Sequence, residues 1–309
     1  MAQFPQLPHA VASKLAARIV SGGLTPGDQV PSVRALAEEM GCAPGTAARA
    51  HAILREAGLI AGPPRAAAVV TEDGLSRALA FRGAAGAVRL AGSDDPGLDL
   101  LVRAVGPTVE RSAQGAGSVA GLAQLARGTV DASAVHLRDE RTGTANDPFV
   151  RRVIGGEPAG LVHLWRRQQG IVVPAGNPLG IRSVDDLAGR TLAWRSPGTG
   201  SRLLLDRLLR TAGVAPAGGA EFGSHLGVAV AVSTGAADAG LAVRASSEGI
   251  GADFVPVEWE DFELAVAPES LELMLPLLDV LASTGVQDRL AALGGYDLRR
   301  SGEVRVAAA

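Results

Sequence analysis

Cysteine is all but missing from this chain of 309 residues: Cys42 stands alone, so no internal disulfide can form, which fits a reducing compartment. Lysine is as scarce, with Lys14 the single example in a chain rich in Ala, Gly and Arg. Met1-Ala2-Gln3-Phe4-Pro5 opens no charged-then-apolar export pattern, and no apolar run reaches membrane-spanning length. The expected location is therefore cytoplasmic, with no membrane partner. A net charge of −3 excludes an overall basic coat for nucleic acid, though not a local binding face. Catalytic signatures are missing too. There is no Gly-x-Ser-x-Gly elbow and no Gly-x-x-x-x-Gly-Lys phosphate loop, and His9, His51, His136, His163 and His225 are scattered without metal-ligand spacing. No general base stands beside a nucleophile, so the expectation is a protein that is not an enzyme and has no catalytic residues, metal or cofactor. What remains, at 47% hydrophobic and 20% charged, is a globular chain long enough for more than one domain.

One stretch organises the second half. In GRTLAWRSPGTGSRLLLDRLLRTA, residues 189–212, Leu192-Ala193-Trp194 reads as the end of a strand and Leu203 onward as a helix. Leu204, Leu205 and Leu208 repeat at helical spacing, and Gly213 is the stop. Between them, Arg195-Ser196-Pro197-Gly198-Thr199-Gly200-Ser201-Arg202 offers hydroxyls at Thr199 and Ser201 and glycines that let a ligand approach the backbone. The free N–H groups and dipole of the following helix make an anion seat there, although a plain turn capped by Thr199 or Ser201 has the same residues. Similar joints recur. Gly92-Ser93 follows a strand at 88–91 and precedes a helix from Pro96 to Val105, while Gly117-Ser118 and Gly223-Ser224 each precede a short apolar helix and then Gly-x-x-Asp-Ala. Ser118 and Ser224 are both placed as helix N-caps. Several such helix starts imply a cleft lined from two sides, and the strand–helix alternation from Val88 onward predicts an α/β domain. Further strands are expected at 170–174, 254–257 and 262–266, and helices at 270–282 and 286–293.

The first 70 residues read as a unit of their own. Val11, Leu15 and Ile19 share a helical face that ends at Gly22-Gly23, and Thr25-Pro26-Gly27-Asp28 is a turn. Ser32 then caps a short helix bearing Val33, Leu36, Ala37 and Met40. A third helix begins at Pro44 and ends at Gly58, and Leu59-Ile60 with Val69-Val70 form a hairpin around Gly62-Pro63-Pro64-Arg65. Three helices and a two-stranded wing make a winged helix-turn-helix, with Cys42 in its turn as a small core residue. Residues 71–87 are expected to be a linker made of a short helix and a flexible joint.

The run IVSGGLTPGDQVPSVRALAEEMGCAPGTAARAHAILREAGLI resembles the DNA-binding domain of the GntR family of bacterial regulators, through Ser-Gly-x-Leu-x-Pro-Gly-Asp and Pro-Ser-x-Arg-x-Leu-Ala. The resemblance implies that the third helix enters the major groove of operator DNA. It also implies contacts from Ser32, Arg34, Pro44, Gly45, Thr46 and Arg49, and from Arg65 at the wing. Where that family places Ser-Arg-Asn-Thr-Val-Arg, this chain has Ala43-Pro44-Gly45-Thr46-Ala47-Ala48. A capping serine worth about 1 kcal/mol is lost, as are two arginine positions. With six Lys and Arg against four Asp and Glu in residues 1–70, phosphate attraction is modest. The competing reading of this domain is a module for protein contact or dimerisation.

Residues 88–303 resemble the periplasmic binding-protein-like domains related to molybdate-binding proteins, the two-lobed type II fold. The resemblance rests on Gly92-Ser93-x-Asp95, Gly117-Ser118-x-x-Gly121-Leu122, His136-Leu137-x-Asp139, Arg167-x-Gln169-Gly170, Gly198-x-Gly200-x-Arg202 and His225-Leu226. It implies ligand contacts from Ser93, Ser118, Thr199, Gly200, Ser201, Arg202, Ser224 and His225. Two departures bear on the ligand. Asp94 replaces a histidine of the family's first loop, and Trp194-Arg195-Ser196 replaces Asn-Arg-Gln. A carboxylate in the cleft weakens anion binding unless Asp94 points away or pairs with an arginine, while Trp194 adds a flat apolar wall. With Asp94, Trp194 and Arg195 counted in the site, the effector is either a molybdate- or tungstate-like oxyanion or a small organic zwitterion. His136 is expected to be structural, beside Asp139; His225 stays open between ligand contact and capping.

These readings give an α/β chain with a winged helix-turn-helix at 1–70, a linker at 71–87 and a two-lobed sensor domain at 88–309. The expected function is a ligand-responsive, DNA-binding transcription regulator, a homodimer on a two-fold operator, sensing a small molecule or oxyanion. Its rivals are a ligand-binding protein whose winged helix contacts protein, and an enzyme of unidentified chemistry. The residues leave open whether the effector raises or lowers DNA affinity.

Overall fold

The computed structural model describes residues 8–20, 22–62, 67–84, 88–107, 109–139, 142–154 and 159–307. Arg65, expected near the wing tip, lies outside the described residues. Helices α1 (Pro8–Val20), α2 (Val33–Glu39) and α3 (Pro44–Glu56) pack around the fully buried Leu15, Leu36, Leu54 and Leu59. Strand β1 (Ile60–Ala61) pairs antiparallel with β2 (Val69–Val70), Ile60 opposite Val70, which completes a winged helix-turn-helix. Helix α4 (Gly74–Ala84) joins the same core through Ala78 and Phe81.

The helix starts show how local sequence acts here. Ser32 caps α2, its hydroxyl accepting the Ala35 N–H at 3.2 Å. At the matching position of α3 stands Ala43, in the extended conformation a cap needs (φ −65°, ψ 144°) but with no side-chain acceptor. Ala43→Ser adds that acceptor without changing the backbone. It is expected to raise the stability of the winged helix by about 1 kcal/mol, read from the urea midpoint by circular dichroism. An unchanged midpoint would refute it.

From Val88 the chain builds two lobes on one continuous sheet. Strands β3 (Val88–Gly92), β4 (Val109–Ala116) and β5 (Ala132–Val135) run parallel, linked through α5 (Pro96–Val105) and α6 (Ser118–Ala126). Helix α7 (Asp147–Ile154) leads to β6 (Gly160–Pro174), a strand of 15 residues. In the second lobe β7 (Leu192–Arg195), α8 (Gly200–Ala212), β8 (Glu221–Phe222), α9 (His225–Ser233) and β9 (Ala239–Val243) repeat the pattern, again with parallel strands. Strand β10 (Ala252–Val266), also of 15 residues, returns antiparallel to β6. Helices α10 (Leu275–Ala282) and α11 (Thr284–Ala292) cover the first lobe, where Leu277, Leu281 and Leu290 meet Leu98 and Leu101. Short β11 (Tyr296–Asp297) and β12 (Val304–Val306) pair with β6. The order along the sheet is β4-β3-β5-β10-β6-β9-β7-β8.

Strands β6 and β10 therefore belong to both lobes, β10 pairing with β5 at one end and β6 with β9 at the other. Two irregularities in their register, between Pro256 and Glu258 and between Phe262 and Glu263, bracket the passage from lobe to lobe. Bulges of this kind bend a strand and re-aim its side chains. The expectation of separate strands at 254–257 and 262–266 is corrected: they are one strand. Glu258, Glu260 and Asp261, which stand between the two expected strands, belong to it: across β6 Glu260 faces Arg167 and Asp261 faces Arg166. Strand β6 likewise begins at Gly160 rather than at 170, and residues Pro268–Met274 are a 3-10 turn ahead of α10.

Candidate ligand-binding site

The loops that meet between the lobes start from backbone that only certain residues allow. Strand β3 ends at Gly92, with φ +102° and the Ala134 backbone so close that a Cβ would fall 2.2 Å from its carbonyl oxygen. Glycine is the residue that permits both. Beyond it, the hydroxyls of Ser93 and Ser118 lie 2.9 Å apart, and Ser118 Oγ also accepts the His136 N–H at 3.1 Å. Ser118 is therefore not the N-cap expected of it. Gly117 holds that position, and the serine hydroxyl ties together the ends of β3, β4 and β5 instead. Ser224 does cap α9, accepting the Gly227 N–H at 3.0 Å. Thr199 sits at the N-cap of α8, but its hydroxyl is spent on the Ser196 carbonyl at 2.8 Å, so neither it nor Ser201 caps the helix.

Asp94 spans the cleft. One oxygen pairs with the guanidinium of Arg195, at the end of β7, and the other accepts the backbone N–H of His225 at 2.9 Å, the first amide of α9. The carboxylate thus sits on a cation and on a helix N-terminus, the two seats an anion would use. Burial works against its charge, but His225, Arg195 and the His225 amide outweigh burial and hold its pKa near 2. Burial also pushes His225 well below its ordinary value, and its Nδ1 accepts the Val243 N–H at 3.3 Å.

Beneath this contact lies a second cluster, centred on the fully buried Arg167. Its Nε donates to Glu260 Oε1 at 2.7 Å, and its NH1 donates to Asp95 Oδ2 at 2.9 Å and to the Asp94 carbonyl at 3.2 Å. Gln169, on the same face of β6, donates through Nε2 to Glu260 Oε1 and to Ser201 Oγ, both at 2.8 Å. His136 Nδ1 lies 3.1 Å from Glu260 Oε1. Asp95 Oδ1 accepts the Tyr296 hydroxyl at 2.8 Å and the Leu98 N–H at 3.0 Å. Burial opposes the charge of Glu260, yet His136 and Arg167 keep it well below the usual carboxylate range. Burial opposes that of Arg167 as well, and Glu260 and Asp95 hold it above the ordinary guanidinium value.

The structure brings Ser93, Asp94, Ser118, Arg195, Ser201 and His225 together. Gly200 joins them by contact, since a Cβ there would fall 2.3 Å from His136 Cε1. Trp194 and Arg202 pair with each other instead: the guanidinium stands 4.5 Å from the indole centroid, and Arg202 also bonds Asp206 at 3.0 Å and the Arg195 carbonyl at 3.2 Å. His136 has Glu260 as its partner, not the expected Asp139. Sequence reasoning missed Arg167, Gln169, Asp95, Glu260 and Tyr296 as members of the site. A signal was there in Arg167 and Gln169, two polar residues at strand spacing inside a long, mostly buried strand. In the winged helix, Arg34, Arg49, Pro44, Gly45 and Ser32 are exposed and Thr46 is half-buried.

Asp94 lends a pH dependence whose sign is definite. Its folded pKa is depressed, so its contribution is complete above the ordinary value of 3.8 and is lost as pH falls toward about 2. The shift corresponds to about 2 kcal/mol. In Asp94→Asn the stability lost over this acid range is expected to shrink by that amount, measured by urea unfolding at stepped pH. Parallel profiles for the two proteins would overturn the assignment.

Among the described residues, no group of three or more His, Cys, Asp and Glu could hold a metal ion, and no helix is long and apolar enough to cross a membrane. Residues 101–282 match the family model of the PBP superfamily domain, and residues 7–70 match that of bacterial regulatory proteins of the gntR family. Protein YvgK of Bacillus subtilis (strain 168) is 33% identical over 194 residues, which are 61% of this chain and 63% of YvgK. The chain thus spans less than two thirds of that relative. A protein in the ferredoxin 2Fe-2S gene 5′ region of Clostridium pasteurianum is 33% identical over 111 residues, 33% of this chain and 96% of that protein. Among solved structures, the sulfate-binding protein SubI from Mycobacterium tuberculosis H37Rv is similar, with a TM-score of 0.51 and 16% identity over 69% of this chain and 87% of that one. At that identity the likeness is one of fold alone.

Proposed function

Because this chain belongs to the PBP superfamily and carries a gntR-type DNA-binding domain, we propose that it is a transcription regulator whose hold on operator DNA is set by an effector bound between its two lobes. The domain pairing supports a ligand-responsive regulator rather than an enzyme. The observation that carries the mechanism is Asp94. A carboxylate of the first lobe rests on Arg195 and the α9 amide of the second, so the spacing of the lobes depends on what occupies that seat. An effector that displaces or reinforces this bridge changes the spacing. The change reaches the winged helix, where α3 presents exposed residues to the major groove. The regulator acts in the cytoplasm, where operator DNA is, and as a homodimer on a two-fold site. Ser93, Ser118, Thr199, Ser201, Arg195 and His225 are its ligand-side residues.

The test is a mobility shift of DNA from upstream of its own gene, with full-length protein at low salt and a panel of small molecules and oxyanions. A shift altered by one member of the panel is the expected result. Protein that binds no such DNA with or without any of them favours the rival in which the winged helix contacts protein.

A further inference from the structure

We propose that the effector is a small zwitterion, and that Glu260 receives its protonated amine. This rests on the regulator reading above, because it names the ligand class for the cleft between the same two lobes. Beside the polar cluster opens a cavity of about 560 Å³ lined from both lobes. Val119, Phe149, Leu203 and Leu204 supply apolar wall, and His136 and Glu260 its polar end.

Glu260 is loaded on one side only. Arg167, Gln169 and His136 all converge on Oε1, and among the described residues no hydrogen bond or ion pair reaches Oε2. The side chain keeps 14% of its surface open and lines the cavity. Its neighbours hold it ionised. An ammonium is a compact multiple donor that suits a free carboxylate oxygen.

The opposite charge has places as well. Arg138 and Arg152 stand on the cavity wall. A bare oxyanion would satisfy these cations and leave Glu260 Oε2 unmet; a plain amine would do the reverse. Buried polar groups left unpaired are costly, so the ligand that carries both an amine and a carboxylate wins.

The experiment is calorimetric titration of the full chain with each proteinogenic L-amino acid, with the amine and the carboxylic acid that lack one of its charged groups, and with molybdate and sulfate. At least one amino acid is expected to bind, with each matched half-ligand weaker by about tenfold or more. Glu260→Gln lowers that affinity by about tenfold or more with circular dichroism unchanged. Leu203→Glu, at a half-exposed position on the cavity wall, abolishes binding and keeps the proposal testable should the buried Glu260 variant fail to fold. Molybdate or sulfate binding while no amino acid binds overturns the proposal. So does an absence of binding across the panel, or amino-acid binding that Leu203→Glu leaves intact. Mobility shifts on the same samples separate the two readings. An amino acid that binds but leaves the shift unchanged refutes the regulator and keeps the site, whereas an oxyanion that changes the shift keeps the regulator and refutes this ligand class.

Discussion

Arg34→Ala combined with Arg49→Ala abolishes the mobility shift of promoter DNA while far-UV circular dichroism stays that of the wild type. Both side chains are exposed and neither belongs to the core of the winged helix, which on α3 is Ala47, Ala50, Ile53 and Leu54. Among the described residues Arg34 has one ionic neighbour, Glu38 at 3.2 Å, and that carboxylate is itself 70% exposed. An exposed pair at this spacing adds little to folding, so its loss leaves the helix in place. For DNA the balance differs. Residues 1–70 hold six Lys and Arg against four Asp and Glu, so two arginines are a large share of the attraction. Removing Arg34 also leaves Glu38 without that partner on the face proposed to meet phosphate. The expected loss is on the order of tenfold for each arginine and a hundredfold together, with a salt slope shallower by about two. A shift of undiminished affinity in the double variant would mean that DNA meets another surface.

Arg167→Met is expected to cost about 3–5 kcal/mol of folding stability, the range for breaking a buried ion pair by removing one partner. The guanidinium is fully buried and neutralises two carboxylates, Asp95 at 2.9 Å and Glu260 at 2.7 Å, while stacking over Phe262 at 4.2 Å. Methionine replaces much of the stem and leaves Asp95 in low dielectric without a counter-charge and Glu260 with His136 alone. Adding Asp95→Asn and Glu260→Gln to Arg167→Met is expected to restore part of the loss, because the uncompensated charge is the costly element. Urea unfolding of the variants measures it. If Arg167→Met is within about 1 kcal/mol of wild type, water reaches the cluster and the charges are not isolated.

Much of the chain was legible because its code is short-range. Ser32 caps α2 three residues from the amide it accepts, Gly213 ends α8 in the left-handed conformation at φ 66°, and Ser224 caps α9. The spacing of Val11, Leu15 and Ile19 placed a buried face on α1, and the glycine-serine joints placed helix starts around a cleft. Rules of this kind compare residues a few positions apart, and there the sequence by itself determined the outcome. Tertiary structure decided the partners. Asp94 meets Arg195 from 101 positions away and Glu260 meets Arg167 from 93, distances over which local pattern says nothing about adjacency. Ser118 had a free helix start within reach, yet its hydroxyl went to Ser93 and the His136 amide because β3, β4 and β5 end side by side. The polar middle of β10 separates two expected strands until β6 lies beside it; then Arg167, at one register position, turns Glu260 from a residue that ends a strand into one the strand can bury. A charge can be placed in a protein interior only where its partner is already fixed, and which strands are neighbours is a property of the whole fold.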